Sequence, residues 1–509
     1  MPGKKMKTRH SRGGWVFVQM TAFFCSLIVA HGLALTHGRA DGSTQADPGP
    51  RPNIVFLYTD DQAQWAMGAY GNRDIKTPHL DSLARSGAIF RNAFTVTPVC
   101  SPSRAALMTS RYPTELGIAD WINPQQEPDL GLAPSAITWP ELLRGFGYAT
   151  MLAGKWHLGT RDEFHPTRQG FDRFFGFRDG SNRPMDPRLE VDGQLRELKG
   201  SLPDLLVDEG LKFIDGHRDQ PFLLSIHFRA PHTPYAPVPE QDSAPYRTLD
   251  PRIPDFPGLP RERVKQITRE YYASVSSVDR NVGRLLARLD ELKVASQTIV
   301  VFTSDHGYMI GHHGLWHKGN AAWLADGKKG YRPNMFDDAT RVPLLIRWPG
   351  VIAPGTNISH VVSNLDIYPT LLEMTGLGVP DNLVVRGRSL VPLLRGQATS
   401  WDDTLFGQYD MHHYQVARMR MIRTPEWKLV RHFEPGGADE LYHLSEDPGE
   451  TQNLADVSAP ATRAARDGLA QRLEGWLAHV GDKSVLEAAP VPGGPASSKP
   501  ASGGASRSR

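Results

Sequence analysis

Asn53-Ile54-Val55-Phe56-Leu57-Tyr58-Thr59 is followed at once by Asp60-Asp61-Gln62. A short, nearly continuous apolar run of this kind reads as a β-strand covered on both faces, and here it ends in acids. Thr298-Ile299-Val300-Val301-Phe302-Thr303-Ser304 repeats the pattern and stops at Asp305-His306-Gly307. Two further runs end in bases: Tyr148 to Ala153 leads into Gly154-Lys155-Trp156-His157, and Phe222 to Phe228 leads into Ala230-Pro231-His232-Thr233-Pro234. Between them lie helix-like stretches at Pro78 to Ser86, Trp139 to Arg144 and Arg261 to Leu292. The last carries one apolar stripe through Val264, Ile267, Tyr271, Val275, Val278, Val282, Leu285, Leu286 and Leu289. Buried strands alternating with helices predict an α/β sandwich around a largely parallel sheet. Ligands of such sheets bind beyond the carboxyl ends of the strands, so the four polar clusters are expected in one crevice. Singly, each has a plainer reading as a helix cap, a turn or ordinary loop residues. The joint pattern outweighs them.

The chain has 509 residues and two cysteines. Cys25 lies in a segment that reads as an export signal, residues 1–40. Lys4, Lys5, Lys7, Arg9 and Arg12 precede a mostly apolar Trp15 to Ala34, and Gly38-Arg39-Ala40 offers small residues for cleavage. Gln19, Thr21 and Ser26 interrupt the apolar stretch, which favours a cleaved signal over a retained anchor. Residues 1–40 hold six Lys/Arg and no Asp/Glu, so their removal turns a formal charge of +2 into −4. A nucleic-acid binder is not indicated, and no stable membrane insertion is expected. The composition, 40% hydrophobic, supplies a core. Residues 41–51 read as a short linker, and the Pro/Gly/Ser-rich 481–509 as a disordered tail.

Export leaves Cys100 alone, without an intrachain disulfide, in Val99-Cys100-Ser101-Pro102-Ser103-Arg104. A lone cysteine is ordinarily a buried inert thiol. The Pro-Ser-Arg context argues otherwise. Ser101 and Pro102 read as the cap and first turn of a helix through Met108, which sets residue 100 where aligned peptide dipoles favour negative charge.

Taken together these residues resemble the sulfatase family of the alkaline-phosphatase-like superfamily, from about Pro52 to Leu454. C-x-P-x-R is the family signature, and its continuation Ala105 to Pro113 is also similar. The resemblance implies an alkaline-phosphatase-like α/β sandwich with a large mixed, mostly parallel sheet (52–398). It adds a smaller C-terminal subdomain with an antiparallel sheet and a helix (399–480). It implies a sulfuric ester hydrolase in which Cys100 is oxidised to Cα-formylglycine by a formylglycine-generating or anaerobic maturating enzyme. One hydroxyl of the hydrated aldehyde attacks sulfur to form a formylglycine-sulfate intermediate, and the other expels sulfate. Metal ligands carried over by position are Asp60, Asp61, Cys100, Asp305 and His306; hard oxygen donors fit Ca²⁺ better than a transition metal, and Ca²⁺ is expected ahead of Mg²⁺. His306 stands where the family has Asn or His, and ligates the ion or donates to sulfate. Arg104 is expected to hold the formylglycine or a metal ligand, and Lys155 to lie near the hydroxyls. His157 is the expected base, His232 the partner of the departing alcohol, and Lys318 the grip on sulfate.

His306, His312, His313 and His317 could be taken for zinc ligands. Three neighbouring aspartates and the absence of cysteine ligands argue against this, and His312, His313 and His317 carry no assigned role. Short strand candidates at Phe406 to Tyr409, Ala417 to Arg423, Trp427 to Phe433 and Glu440 to Leu444, then a helix near Ala461 to Val480, fit the C-terminal subdomain. The expected substrate is a carbohydrate O-sulfate, with Trp121, Arg178, Asp179, His412 and His413 as candidate sugar contacts. An arylsulfatase or a phosphomonoester or phosphonate ester hydrolase is the enzymatic alternative, and a sulfated-glycan-binding protein with unmodified Cys100 the non-catalytic one. The expected location is periplasmic or extracellular.

Overall fold

The computed structural model describes residues 51–398 and 400–486. The export segment, most of the linker and most of the tail lie outside the described residues. A ten-stranded sheet dominates. Its order is Thr356–Ser363, Ala88–Phe94, Leu344–Arg347, Thr298–Ser304, Asn53–Asp60, Phe222–Pro231, Ala149–Lys155, Arg173–Phe177, Arg188–Val191, Gln194–Glu197. Only Leu344–Arg347 and Arg188–Val191 run against the rest. The sheet is therefore mixed and mostly parallel, and the four apolar runs are its four adjacent central strands.

Period-2 alternation of the Asn53–Asp60 strand explains its all-apolar sequence. Ile54, Phe56 and Tyr58 pack under helices Cys100–Thr109, Trp139–Gly145 and Ile367–Met374. Val55 and Leu57 pack on the other face against helices Pro78–Ser86, Leu202–His217 and Arg261–Glu291. Each fully buried side chain of this size contributes roughly 1.5–3 kcal/mol. With both faces spent on packing, the strand has room for polar groups only at its end. There Asp60 and Asp61 emerge, the latter with φ 69°.

The C-terminal part is a four-stranded antiparallel sheet, Leu405–Met411, Ala417–Arg423, Trp427–His432 and Glu440–His443. Helix Pro460–Val480 covers it, and its core joins Val96, Val99, Ala106 and Tyr112 on either side of the Cys100 turn. Residues 481–486 form a turn and a one-turn helix, Lys483–Leu486. Arg420 Nε donates to the Asp482 carboxylate there at 2.6 Å. A third, small antiparallel sheet of Met309–Ile310, Leu315–His317, Asn320–Trp323 and Tyr331–Pro333 was not foreseen from the sequence. Its strands are two to four residues long and punctuated by glycines, so they carry no readable period. Among the described residues no helix is long and apolar enough to cross a membrane.

Candidate active site

The carboxyl ends of the central strands deliver the polar clusters to one place, as the topology requires. Helix Cys100–Thr109 begins two residues earlier than the sequence suggested. Cys100 itself is the first helical residue, and Val99, extended at φ −152°, precedes it. Ser101 is not the cap: its hydroxyl accepts from the Ile122 N–H at 3.0 Å. Cys100 is 3% exposed, at the floor of a cavity of about 410 Å³.

Around Cys100 Sγ stand Lys318 Nζ at 2.9 Å, His306 Nε2 at 3.4 Å and Asp60 Oδ1 at 3.5 Å. Lys155 Nζ meets Asp60 Oδ2 at 2.6 Å, and Lys318 Nζ meets Asp61 Oδ1 at 2.7 Å. Arg104 donates through Nε and a terminal nitrogen to Asp305 Oδ2 at 3.2 and 3.0 Å, and to the Lys155 carbonyl at 3.1 Å. It also lies over the Tyr58 ring at 5.0 Å. Arg104 thus fixes Asp305 rather than residue 100, tying three strand ends together. The Asp305 backbone is held too, its carbonyl accepting from the Ser103 hydroxyl.

Burial opposes ionisation of all these carboxyls, yet the Lys155 ammonium holds Asp60 well below the usual carboxylate range. Lys318 likewise lowers Asp61. Asp305 is pushed up by burial and by the neighbouring Asp60 charge. Burial and Asp60 also push the Cys100 thiol up.

The donor set suits a hard cation. His306 Nδ1–H donates to the Gly307 carbonyl at 2.9 Å, so a neutral ring presents a bare Nε2. That nitrogen faces Asp61 Oδ1 and Asp305 Oδ1, each at 3.3 Å. Acceptors turned toward one another in a dry site are favourable only around a cation. Asp61 Oδ2 is buried without a hydrogen-bond partner. One donor atom each from Asp60, Cys100, Asp305 and His306 lies within 4.8 Å of the others. A bare Nε2 cannot donate to sulfate, which favours ligation for His306.

His157, left-handed at φ 59°, donates Nε2–H to the Ile122 carbonyl at 3.1 Å, leaving Nδ1 buried and unpartnered. Burial and the Lys155 charge hold it well below its ordinary value, hence neutral with a free lone pair. Gly180 makes this placement feasible: a Cβ there would sit 2.6 Å from His157 Nε2. Gly180→Ala is expected to shift the imidazole and lower kcat on the order of 10²-fold while leaving the melting temperature nearly unchanged. Unchanged kcat would show that His157 placement is immaterial. His232 donates Nδ1–H to the Thr233 carbonyl at 2.7 Å and presents Nε2 to Asp61 Oδ2 at 3.9 Å. Burial pushes it down to about 3.

Of the sugar-contact candidates, Trp121 and Asp179 line the cavity. Arg178 does not; it pairs with Glu190 and Asp162 in a neighbouring groove. His412 and His413 are tied to Glu127, Gln126 and the Trp121 carbonyl instead, and His413 packs on the Trp121 ring at 4.4 Å. Beyond Trp121, the wall they support was missed: Tyr414 stacks on Tyr331 at 4.5 Å and on Trp121 at 6.2 Å, and all three line the cavity. His312 packs at a tilt on Trp65 and His313 stacks on Phe336, and among the described residues neither joins His306 in a cluster of metal-ligand atoms, so the histidines do not converge on a zinc site. His317 does line the cavity.

A family profile described as Sulfatase matches residues 52–377, and one described as N-sulphoglucosamine sulphohydrolase, C-terminal, matches residues 329–477. Steryl-sulfatase of Mus musculus is 30% identical, over 83% of this chain and 82% of its own length. N-acetylglucosamine-6-O-sulfatase of Bacteroides thetaiotaomicron is 28% identical, over 81% of this chain and 84% of its own. A protein solved in complex with its substrate D-glucosamine-2-N,6-O-disulfate superposes with a TM-score of 0.74 at 27% identity. That alignment covers 86% of this chain and 99% of the solved one.

Proposed function

This chain belongs to the sulfatase family and is a sulfuric ester hydrolase, and from that premise we propose that it releases sulfate from carbohydrate O-sulfates with residue 100 as formylglycine. The observation that carries the reading is the aromatic wall of Trp121, Tyr414 and Tyr331 in the cavity that ends on Cys100, with Lys155 and Lys318 in the same lining. Ring faces of this kind suit the apolar faces of a sugar, and the lysines suit its sulfate. Two similar proteins named above act on sulfated glucosamines.

An aldehyde hydrate at position 100 supplies geminal hydroxyls, one to attack sulfur and one to drive sulfate out. The helix N-terminus beneath it favours the negative charge that develops. Asp60, Asp61, Asp305, His306 and residue 100 would hold Ca²⁺, whose charge lowers the pKa of a bound hydroxyl and neutralises sulfate oxygens. Lys155 and Lys318 orient the sulfate. Nδ1 of His157, the unprotonated nitrogen, takes the proton during sulfate elimination. Lys318, charged beside Asp61, gives a proton to the departing alcohol oxygen, and His232 Nε2, bare in the neutral ring, is an acceptor there. Maturation by a formylglycine-generating or anaerobic enzyme and export to a periplasmic or extracellular space complete the proposal.

Sulfate release is to be measured over a panel of saccharides sulfated at defined positions, aryl sulfates and phosphate monoesters. The highest kcat/KM is expected on a sulfated saccharide. Preference for aryl sulfates or phosphate esters would replace this reading with the corresponding hydrolase. Calcium is expected to raise the unfolding free energy by about 2.7 kcal/mol at a hundredfold excess over its Kd. Asp60→Asn or Asp305→Asn should remove most of that gain in a thermal melt. Equal stabilisation of both variants would place the ion elsewhere.

A further inference from the structure

His317 is set apart by its backbone and its wiring. It holds φ 90°, a left-handed conformation rare for a residue with a side chain unless the surroundings impose it. Its imidazole lies on Trp316, centroids 4.5 Å apart and rings 18° from parallel, and meets Tyr308 edge-on at 5.8 Å. Nδ1 is 3.0 Å from the Tyr308 hydroxyl, which is 2.8 Å from the Tyr235 hydroxyl. Tyr235 in turn accepts from the Trp316 indole N–H at 3.0 Å.

The direction of this chain follows from what each group can do. An indole N–H only donates, so Tyr235 is an acceptor there. Its own proton then goes to Tyr308, and the Tyr308 proton to His317 Nδ1. The reverse order would leave the Tyr235 proton buried without an acceptor, since among the described residues Tyr308 is the acceptor within reach. Such an orphan costs about 1–3 kcal/mol. Nδ1 is therefore an acceptor, and a neutral ring carries its proton on Nε2. Burial pushes His317 down to about 4, which keeps the ring neutral at neutral pH. The ring lines the cavity beside Lys318, and among the described residues Nε2 has no hydrogen-bond partner in the protein.

We infer that His317 is a substrate-binding residue whose Nε2–H donates to an oxygen of the bound sulfate ester, with Trp316, Tyr235 and Tyr308 as positioning residues that keep the proton on that nitrogen. A neutral donor adds a hydrogen bond to the substrate without adding a third cation beside Lys155 and Lys318. The inference rests on this cavity being where the sulfate ester is cleaved, and it concerns no step of the formylglycine chemistry.

The test pairs imidazole ¹⁵N NMR with kinetics, the His317 signals being assigned by their loss in His317→Gln. The expected result is an Nε2–H tautomer in the wild type that redistributes in Tyr308→Phe. His317→Leu should lower kcat/KM on the best sulfate ester on the order of 10–100-fold. His317→Gln, whose amide can still donate, should recover part of the loss, and Tyr308→Phe should lose less. An Nδ1–H tautomer in the wild type, or wild-type kcat/KM in a folded His317→Leu, overturns the inference. A wild type that hydrolyses no sulfate ester overturns the functional reading instead, and the tautomer then decides the wiring by itself.

Discussion

Replacing Cys100 with alanine is expected to lower kcat for sulfate release on the order of 10⁴–10⁶-fold, the loss usual when a nucleophile is removed and its supporting groups remain. That corresponds to roughly 5 to 8 kcal/mol of transition-state stabilisation. The fold should survive. Cys100 Sγ is a small buried group at the head of a ten-residue helix whose other residues make the packing contacts. Its removal also relieves a contact with Lys318 that Asp61 already satisfies. Circular dichroism and the melting temperature should therefore match wild type. Substantial turnover by Cys100→Ala would show that sulfur is attacked by some other group, and the roles given to Lys155, His157 and Lys318 would have to be rebuilt. Cys100→Ser is the informative companion, because a serine hydroxyl can attack sulfur but offers no second hydroxyl to release it. A single slow burst without turnover is expected.

Asp337→Ala is expected to destabilise the protein by about 3–5 kcal/mol, the cost of leaving buried charges uncompensated. The Asp337 carboxylate accepts from Arg423 at 2.9 Å, from Arg341 at 2.5 Å and pairs with Lys428 at 2.6 Å. Lys428 also meets Glu450 Oε1 at 2.5 Å, and Glu450 Oε2 accepts the Asp337 N–H at 2.6 Å. Burial alone would raise Asp337, yet Lys428 and Arg423 hold it well below the usual carboxylate range. Without it, Lys428 keeps Glu450, itself pushed up by burial, while Arg423 and Arg341 lose their carboxylate. This cluster joins the C-terminal sheet to the one-turn helix Asp337–Thr340. That turn accepts the Gly307 N–H on the Ala339 carbonyl at 2.9 Å, directly after His306. Activity per folded molecule should fall along with the urea midpoint. The exposed Arg183–Glu197 pair supplies the contrast, since its removal should change stability by no more than about 1 kcal/mol. A comparable small loss for Asp337→Ala would mean that water replaces the missing carboxylate.

What could be read from the sequence follows from how local each signal is. Asn53–Asp60, Ala149–Lys155, Phe222–Pro231 and Thr298–Ser304 are legible because burial on both faces forces an unbroken apolar run. Asp60, Asp305 and Lys155 are legible because such runs stop where the sheet ends. Pairings are not local. Nothing in the chain order tells that Lys155 meets Asp60 while Lys318, from the small glycine-punctuated sheet, meets Asp61. Of the aromatic wall Trp121 alone was singled out; Tyr331 and Tyr414 escaped for the same reason, since the three come from separate segments and each alone is an ordinary aromatic. Arg178, His412 and His413 pointed to the right loops but not the right atoms. Their polar ends are spent on Glu190, Glu127 and the Trp121 carbonyl. The relay behind His317 depends on hydroxyl geometry across residues 235 to 317, which periodicity does not encode.

The central claim is that residue 100 works as an aldehyde hydrate held by Asp60, His306 and Lys318, and the most direct measurement is the mass of the tryptic peptide Asn92–Arg104 from protein made in its native host. The mass of formylglycine at position 100 is expected, with capture by a hydrazide reagent. An intact cysteine thiol at that position in protein that releases sulfate would contradict it.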